Sequence, residues 1–270
     1  MSLLAGLRSG LRSGLRVGLD PSDGADPMAG VSRDATSGVY CPATAGEWTT
    51  TRSAAGLPAE NPIALYLLQE ASGNAADSIG AFTLTASGTL LAYQQAIAGW
   101  ARKAITTTAG GTGKLQSVDV ALPDISTTSM LLLGYARTTT IGTTRDVIGA
   151  GAAATRLASQ AVATTGQARA ICNGTLATGA IDSGGVVRPW VSLIDRTGSR
   201  SALYTDAEKI VPAFGATAAG QSITLGNFSA GAGTVAYLYL AVFSGAAAEL
   251  SDAQVKTLLT TLGWAGIPWS

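Results

Sequence analysis

From residue 63 onward the chain is a succession of short apolar or alternating runs, separated by clusters of Gly, Asn, Asp and Thr. Many short runs at nearly regular spacing, without helices between them, are typical of an antiparallel β-sandwich or barrel. Some runs are continuously apolar and others alternate, which predicts that certain strands are covered on both faces. The predicted strands are 63–69, 81–86, 115–122, 129–137, 145–150, 167–173, 189–196, 201–206, 222–227 and 234–243.

A short helix is predicted ahead of this region. Thr44 and Glu47 have the spacing of a capping box, in which two side chains satisfy free backbone groups at a helix start. Gly56 is a suitable helix stop, so we expect a helix at about 45–55. The stretch "PAENP" at 58–62 ends that helix and begins a new element.

A second short helix is predicted near the C-terminus. Ser251 and Gln254 have capping-box spacing, and Gly263 is a natural stop. The apolar positions between them recur as on one face of a helix, which predicts an amphipathic helix packed on the sandwich. These positions are Val255, Leu258, Leu259 and Leu262.

Residues 6–19, "GLRSGLRSGLRVGL", repeat a Gly-Leu pair every four residues. A helix with these glycines would lose about 1 kcal/mol for each of them relative to alanine. Leucines at every fourth position nevertheless favour burial, so we predict an arm that docks on a partner during assembly. The alternative is a disordered basic tail. The expected docking residues are Leu7, Arg8, Leu11, Arg12, Leu15, Arg16 and Leu19.

Charge and composition narrow the function classes. The chain has 17 basic and 17 acidic residues, so we expect no nucleic-acid partner. No apolar run approaches about 18 residues, so we expect no membrane span. The absence of histidine excludes Ser-His-Asp, Cys-His and HExxH chemistry. Cys41 and Cys172 are expected to be buried small side chains, and a single disulfide between them stays open.

Three separated stretches resemble one fold family. The stretch 64–90, "ALYLLQEASGNAADSIGAFTLTASGTL", together with 188–210 and 236–263, resembles the opening, middle and close of a concanavalin A-like jelly-roll domain of the laminin-G-like type. The resemblance implies an all-β antiparallel jelly-roll β-sandwich with a short C-terminal helix and an extended N-terminal arm. The expected division is 1–38 arm and linker, 39–61 short helical connector, and 62–270 jelly-roll domain.

A shorter stretch suggests where the protein acts. "ATSGVYCPATAGEW" at 35–48, followed by "AAGL" at 54–57, is similar to modules in tailed-bacteriophage virion proteins. This resemblance implies a structural component of a virion, assembled in the bacterial cytoplasm. Its partners would be other virion proteins and further copies of this chain, as a homo-oligomer or repeated subunit. We expect a tail- or fibre-associated protein; the alternative is a head decoration protein with a purely structural role.

Relatives of this fold often bind sugars or calcium on loops at the sheet edge. Sugar recognition would use an exposed aromatic platform, and the candidates are Trp100, Tyr93 and Tyr204. Trp190 lies in an apolar run and is expected in the core. Asp77 is the best calcium candidate, but calcium needs about six to eight oxygen ligands, and an Asx-type turn is the alternative role. No other cofactor is expected.

Three sequence patterns resemble nucleotide-binding or catalytic motifs but lack features that those motifs require. "GAGAAA" at 149–154 precedes "TRLASQAV", which indicates a strand where a dinucleotide fold needs a helix. "AGGTGKLQS" at 109–117 lacks two positions of the phosphate-binding loop. Asp206 and Glu208 form an Asp-x-Glu pair in a predicted turn, without the third carboxylate of a glucanase motif. We therefore expect no enzyme; a polysaccharide hydrolase is the third alternative.

Overall fold

The protein folds as an all-β sandwich of two antiparallel sheets with a short C-terminal helix, which confirms the predicted fold class. The computed structural model describes residues 26–80, 82–89, 91–108, 111–117, 122–141, 144–151, 156–163, 165–182, 184–215, 222–226 and 233–270. The predicted docking arm, with all seven of its leucine and arginine positions, lies outside the described residues.

The elements are short, as the spacing of the apolar runs predicts. The strands are β1 (Ala64–Tyr66), β2 (Thr85–Ser87), β3 (Leu91–Ala96), β4 (Lys103–Thr107), β5 (Lys114–Gln116), β6 (Met130–Ile141), β7 (Arg145–Ala150), β8 (Leu157–Ala161), β9 (Gln167–Cys172), β10 (Thr175–Asp182), β11 (Val187–Asp195), β12 (Arg200–Tyr204), β13 (Lys209–Ile210), β14 (Ile223–Gly226) and β15 (Gly233–Ser244). The helices are α1 (Ala45–Ala54) and α2 (Asp252–Thr261), and a 3₁₀ turn covers Gly245–Ala248.

Each sheet mixes strands from distant parts of the chain. The first sheet has the order β13-β12-β11-β6-β15-β4-β3, and β1 also pairs with β15. The second has the order β10-β9-β8-β7-β14-β5-β2. Because β15 lies between β6 and β4, it places Ala236 beside both Arg137 and Thr106. Residues that are far apart in sequence thus form one row across the first sheet.

One hydrophobic core fills the space between the sheets. The inner faces contribute Leu132 and Trp190 from the first sheet and Ile148 and Leu225 from the second. A Cβ at Gly134 in β6 would overlap Ile148 Cδ1 of the opposite sheet, so the Ile148 side chain would have to move. Trp190 is completely buried, as its apolar run predicts. The two sheets therefore approach closely around the middle of β6.

A second hydrophobic cluster covers the outer face of the first sheet. The segment predicted as a connector at 39–61 packs there through Trp48, beside Leu258 and Leu259 of α2. Trp48 is fully buried, and its ring meets Phe243 of β15 edge-on with centroids 4.9 Å apart. The apolar parts of β6 and β15 are therefore covered on both faces, which explains why their sequences there are continuously apolar.

Helix α1 begins at the predicted cap but uses only half of the capping box. Thr44 Oγ1 accepts a hydrogen bond from the backbone N–H of Glu47 at 3.2 Å. The Glu47 carboxylate instead accepts from the backbone N–H groups of Ser32 (2.6 Å) and Ala43 (3.0 Å). It thereby joins the helix to the preceding segment.

Helix α2 confirms its predicted signals. Both halves of the Ser251–Gln254 capping box are formed. Gly263 ends the helix with φ +97°, a conformation that favours glycine. Among the described residues, no helix has the length and apolar character needed to cross a membrane. The residues predicted for the apolar face of α2 are all buried; they are Val255, Leu258, Leu259 and Leu262.

The two cysteines are free and buried, as the residue count suggests. Cys41 belongs to the cluster on the outer face of the first sheet, whereas Cys172 belongs to the core between the sheets. They lie in separate clusters, so no disulfide joins them. Burial raises the pKa of the Cys41 thiol to about 12, which keeps it protonated and unreactive at neutral pH.

Candidate functional site

A groove of about 180 Å³ opens on the outer face of the first sheet. Its floor crosses four neighbouring strands, β3, β4, β15 and β6. It borders the outer hydrophobic cluster, because Ile97 and Ala236 belong to both. The lining residues are Gln95, Ala96, Ile97, Thr106, Arg137, Thr139, Thr234 and Ala236.

Two polar atoms in the groove wall are buried and have no hydrogen-bond partner among the described residues. These atoms are Arg137 Nε and Thr106 Oγ1, which flank Ala236 in the same row of the sheet. Thr139 Oγ1, in contrast, donates to the carbonyl of Thr234 at 3.3 Å. Buried polar groups are normally paired, so two unpaired ones in residues that line the same groove indicate that bonding there is incomplete without a further molecule, such as water or a ligand.

The groove carries positive charge without a compensating acid. Among the described residues that line it, none is acidic, and Arg137 is the charged one. Most other described arginines donate to a protein oxygen; Arg169, for example, donates to Thr178 and Arg188 to Asp206. Arg145 Nε and Nη2 also have no partner among the described residues, but this side chain is buried at 4% exposure. Arg137 is therefore the accessible guanidinium that this sheet offers to a ligand.

Trp100, one of the predicted sugar-binding aromatic residues, lies next to the groove. Its backbone N–H donates to the carbonyl of Ile97, a lining residue, at 3.1 Å. Its partly exposed ring packs 6.1 Å from Tyr135 and 6.2 Å from Trp264, measured between centroids. Tyr135 precedes Arg137 by two positions on the same face of β6. Trp100 thus stands beside the groove while remaining anchored in the outer cluster.

The other two aromatic candidates do not line the groove. The prediction that Tyr204 offers an exposed ring to a sugar is wrong. Tyr204 is completely buried, and its hydroxyl donates to Asp252 Oδ1 at 2.6 Å, so its ring offers no platform to a sugar. Burial and this hydrogen bond raise its pKa. Tyr93 packs against the core between the sheets and donates to the carbonyl of Gly73 at 2.5 Å.

Asp77, the calcium candidate, has a turn-stabilising role. Its Oδ1 accepts the backbone N–H groups of Leu65 (2.8 Å) and Ile79 (3.1 Å), and its Oδ2 accepts that of Phe82 (3.4 Å). Within the described ranges no group of three or more Asp, Glu, Cys or His side chains is placed to hold a metal ion. The contacts of Asp77 favour the Asx-type turn.

The Asp206–Glu208 pair lies in the hairpin turn between β12 and β13, as predicted. Asp206 forms an ion pair with Arg188 at 2.8 Å. The Glu208 carboxylate accepts the backbone N–H groups of Ala180 (2.8 Å) and Ile181 (3.4 Å), which lie at the edge of the second sheet. Glu208 therefore links the edges of the two sheets, whereas Asp206 holds the turn to β11 within the first sheet.

The groove residues were not predicted from the sequence, although the sequence of β6 carries a signal for two of them. Its sequence changes from apolar to polar after Tyr135, and Arg137 and Thr139 then alternate on one face. Thr106 and Gln95 lie in runs without a strong apolar pattern. Their position beside Arg137 depends on strand pairing through β15, which no local motif indicates.

The fold and the groove define a class: an antiparallel β-sandwich module with an open, polar, positively charged groove on one sheet. Among solved structures the chain is similar to a Trypanosoma rangeli sialidase, with a TM-score of 0.55, 11% identity, and coverage of 76% of this chain and 34% of that one. The same enzyme also matches in a complex with sialic acid. The chain is also similar to the binding domain of botulinum neurotoxin DC, solved with rat synaptotagmin II (TM-score 0.54, 10% identity, coverage 75% and 52%).

A third similar structure belongs to botulinum neurotoxin type C, described as entering cells through interaction with two ganglioside molecules (TM-score 0.53, 9% identity, coverage 75% and 51%). The chain therefore spans about a third of the length of the sialidase and about half of the toxin chains. At these identities the likeness shows the fold alone. No protein-family model and no curated protein matches the sequence.

Proposed function

We propose that this chain is a non-enzymatic glycan-binding module of a bacteriophage particle, in which the N-terminal arm attaches the module to a tail or fibre. The observation that carries the glycan-binding part is the groove on the first sheet, where Arg137 and Thr106 each have a buried polar atom without a partner among the described residues. Sugars offer many hydroxyl groups, and the threonines and Gln95 of the lining are suited to bond them.

The fold supports this proposal at the level of architecture. Similar sandwiches occur in a sialidase solved with sialic acid and in a toxin that interacts with gangliosides, so the architecture can carry sugar-binding surfaces. The groove is small compared with the roughly 300–1,000 Å³ of pockets for drug-sized ligands. A volume of about 180 Å³ suits one sugar ring, with the rest of the glycan in solvent.

The structural contacts of the carboxylates support a binding rather than a hydrolytic role. Glycoside hydrolysis generally needs two carboxyl groups flanking the bond that breaks. The described residues that line the groove include no acidic side chain. Asp206 is engaged in an ion pair with Arg188, and Glu208 accepts a backbone hydrogen bond from the edge of the second sheet. These observations favour retention of the glycan without cleavage.

Blocking the groove should abolish glycan binding. Ala96 lines the groove and is exposed in the edge strand β3, where a large aromatic residue is well tolerated. We expect Ala96→Trp to reduce binding to a retained glycan at least about tenfold, a change of about 1.4 kcal/mol. Binding of the full chain to an immobilised glycan panel, followed by titration of the best ligand, measures this effect.

The matched control is Ala98→Trp, which adds the same ring to an exposed residue that does not line the groove. It should bind like the wild type. Equal loss in both variants, or none in Ala96→Trp, would place the glycan elsewhere on the molecule. Turnover of a glycan, abolished by Asp206→Asn or Glu208→Gln, would instead support the polysaccharide hydrolase.

The virion part of the proposal rests on the N-terminal repeat and on the similarity of 35–48 to phage modules. The leucines at every fourth position of the arm favour burial against another protein, whereas the glycines oppose an independent helix. The arm is therefore suited to attachment. Localisation on the particle head rather than the tail would favour the decoration-protein alternative.

Deleting residues 2–19 should leave a folded domain that no longer enters particles. Because the glycines of the arm oppose an independent helix, its removal should leave the sandwich intact, and the truncated chain should keep the wild-type melting temperature within about 2 °C. Complementation of a phage that lacks the gene, followed by detection of the protein on purified particles, tests incorporation. Normal incorporation of the truncated chain would refute the docking role.

A further inference from the structure

We infer that the groove selects glycans that carry a carboxylate, with Arg137 as the residue that binds it. This inference rests on the proposed glycan-binding function and adds the chemical class of the ligand. It predicts acidic sugars, such as a terminal sialic acid or a uronic acid within a polysaccharide, over neutral sugars. The two sources share one recognisable group, a carboxylate on a sugar ring.

The first argument is the unbalanced charge of Arg137. Its Nε is buried and unpaired within the described part of the chain, and the guanidinium forms no ion pair there. Removing a charged group from water is costly unless an opposite charge or hydrogen bonds replace the water. A ligand carboxylate would supply both to Arg137.

The second argument is geometry. An arginine side chain presents a planar fork of N–H donors that matches the two oxygens of a carboxylate. Thr106 lies in the same row as Arg137, with Ala236 between them. The small side chain of Ala236 leaves space above the sheet, so one sugar ring can lie over it. Its carboxylate would then meet the Arg137 guanidinium while a ring hydroxyl meets the exposed side chain of Gln95.

The third argument is the charge of the surroundings. The remaining polar lining consists of Gln95 and threonine side chains, which accept and donate hydrogen bonds without adding charge. With no acidic side chain among the described lining residues, nothing there competes with the ligand for the guanidinium. A neutral sugar would leave the charge of Arg137 uncompensated, and therefore should bind more weakly.

The test compares ligands that differ only in charge. One pair is a sialic acid-terminated oligosaccharide and its carboxyl methyl ester, and the other is a uronic acid oligosaccharide and its carboxyl-reduced form. We expect the acid of at least one pair to bind at least about tenfold more tightly than its neutral partner. The pair that shows the difference identifies the source. This preference should weaken as ionic strength rises, because salt screens charge pairs.

Single-residue variants test whether Arg137 causes the preference for the acid. Arg137→Ala should remove the preference for the acid, and Arg137→Lys should keep part of it, because lysine retains the charge but not the fork. Arg169→Ala, which removes one positive charge from the second sheet, is the matched control and should bind like the wild type. Equal binding of acid and neutral partners, blocked by Ala96→Trp, would overturn the inference and leave the glycan-binding function standing. Binding of no glycan at all would overturn both.

Discussion

Replacing Trp48 with alanine is expected to lower the free energy of unfolding by about 3–5 kcal/mol, as for other buried tryptophans. The residue lies in α1, far from the sheet in sequence, yet its ring is fully buried against β15. Its Nε1–H donates to the hydroxyl of Tyr239 at 2.8 Å, and that hydroxyl donates onward to the carbonyl of Pro42 at 2.7 Å. Alanine removes the ring and the first of these bonds together.

Trp48→Phe separates the two contributions. Phenylalanine keeps a ring against Phe243 but cannot donate to Tyr239, so it should cost about 1–2 kcal/mol, mainly for the lost hydrogen bond and altered shape. Urea unfolding followed by circular dichroism measures both variants. A cost below about 1 kcal/mol for Trp48→Ala would show that the segment around α1 contributes little to the packed body.

The sequence predicts the elements that local chemistry controls. Both helices follow from a cap and a glycine stop, and α2 also from an apolar spacing; each of these is a short-range signal. Strands with strongly apolar runs, such as β6, β11 and β15, are equally clear. The apolar run in the first half of β6 also predicts that both faces of that half are covered. The sequence of β6 does not identify the elements that cover it, because α1 and α2 come from distant parts of the chain.

Strands without an apolar run escape prediction. The edge strands β3 and β10 are mostly exposed, so their sequences, "LAYQQA" and "TLATGAID", lack the contrast between a buried and an exposed face. Such strands form because a neighbouring strand offers hydrogen-bond partners, which is a non-local cause. The candidate groove depends on one of them, and its row from Arg137 to Thr106 depends on pairing through β15.

The aromatic candidates show the same limit at the level of single side chains. The local sequence around Trp100 and around Tyr204 does not determine whether either side chain is exposed. Tyr204 is buried because α2 places Asp252 beside its hydroxyl and the C-terminal Trp269 packs 5.0 Å from its ring, centroid to centroid. Those contacts arise only once the end of the chain returns to β12.

Asp34 holds the N-terminal segment to the first sheet. Its carboxylate is 2% exposed and accepts the backbone N–H groups of Thr36 (3.0 Å) and Ser37 (2.8 Å) in its own turn. It also accepts those of Ala101 (3.0 Å) and Arg102 (2.8 Å), just before β4. One side chain therefore satisfies four backbone donors in two separate loops.

Asp34→Asn should lower the free energy of unfolding at pH 7 by about 3 kcal/mol, because hydrogen bonds to a charged group are strong. In addition, the NH₂ group of asparagine would face backbone N–H groups, which are also donors. The matched control is Asp206→Asn, which removes a partly exposed carboxylate paired with Arg188 and should cost less than about 1 kcal/mol. Urea unfolding of both variants measures the difference. Equal costs would show that the bonds of Asp34 are not specially stabilising.

The effect of Asp34 should depend on pH in a defined direction. Burial alone would raise its pKa, but the backbone hydrogen bonds outweigh burial and hold the pKa below its ordinary value. A carboxyl with a lowered folded-state pKa contributes stability that is fully present above its unfolded value of about 3.9. That contribution is lost as the pH falls through the lower folded-state pKa. The gap between wild type and Asp34→Asn should therefore be constant from pH 5 to 7 and narrow below about pH 4. A gap that widens in acid would contradict the assigned role, since it would mean that the neutral carboxyl binds these four donors better than the charged one.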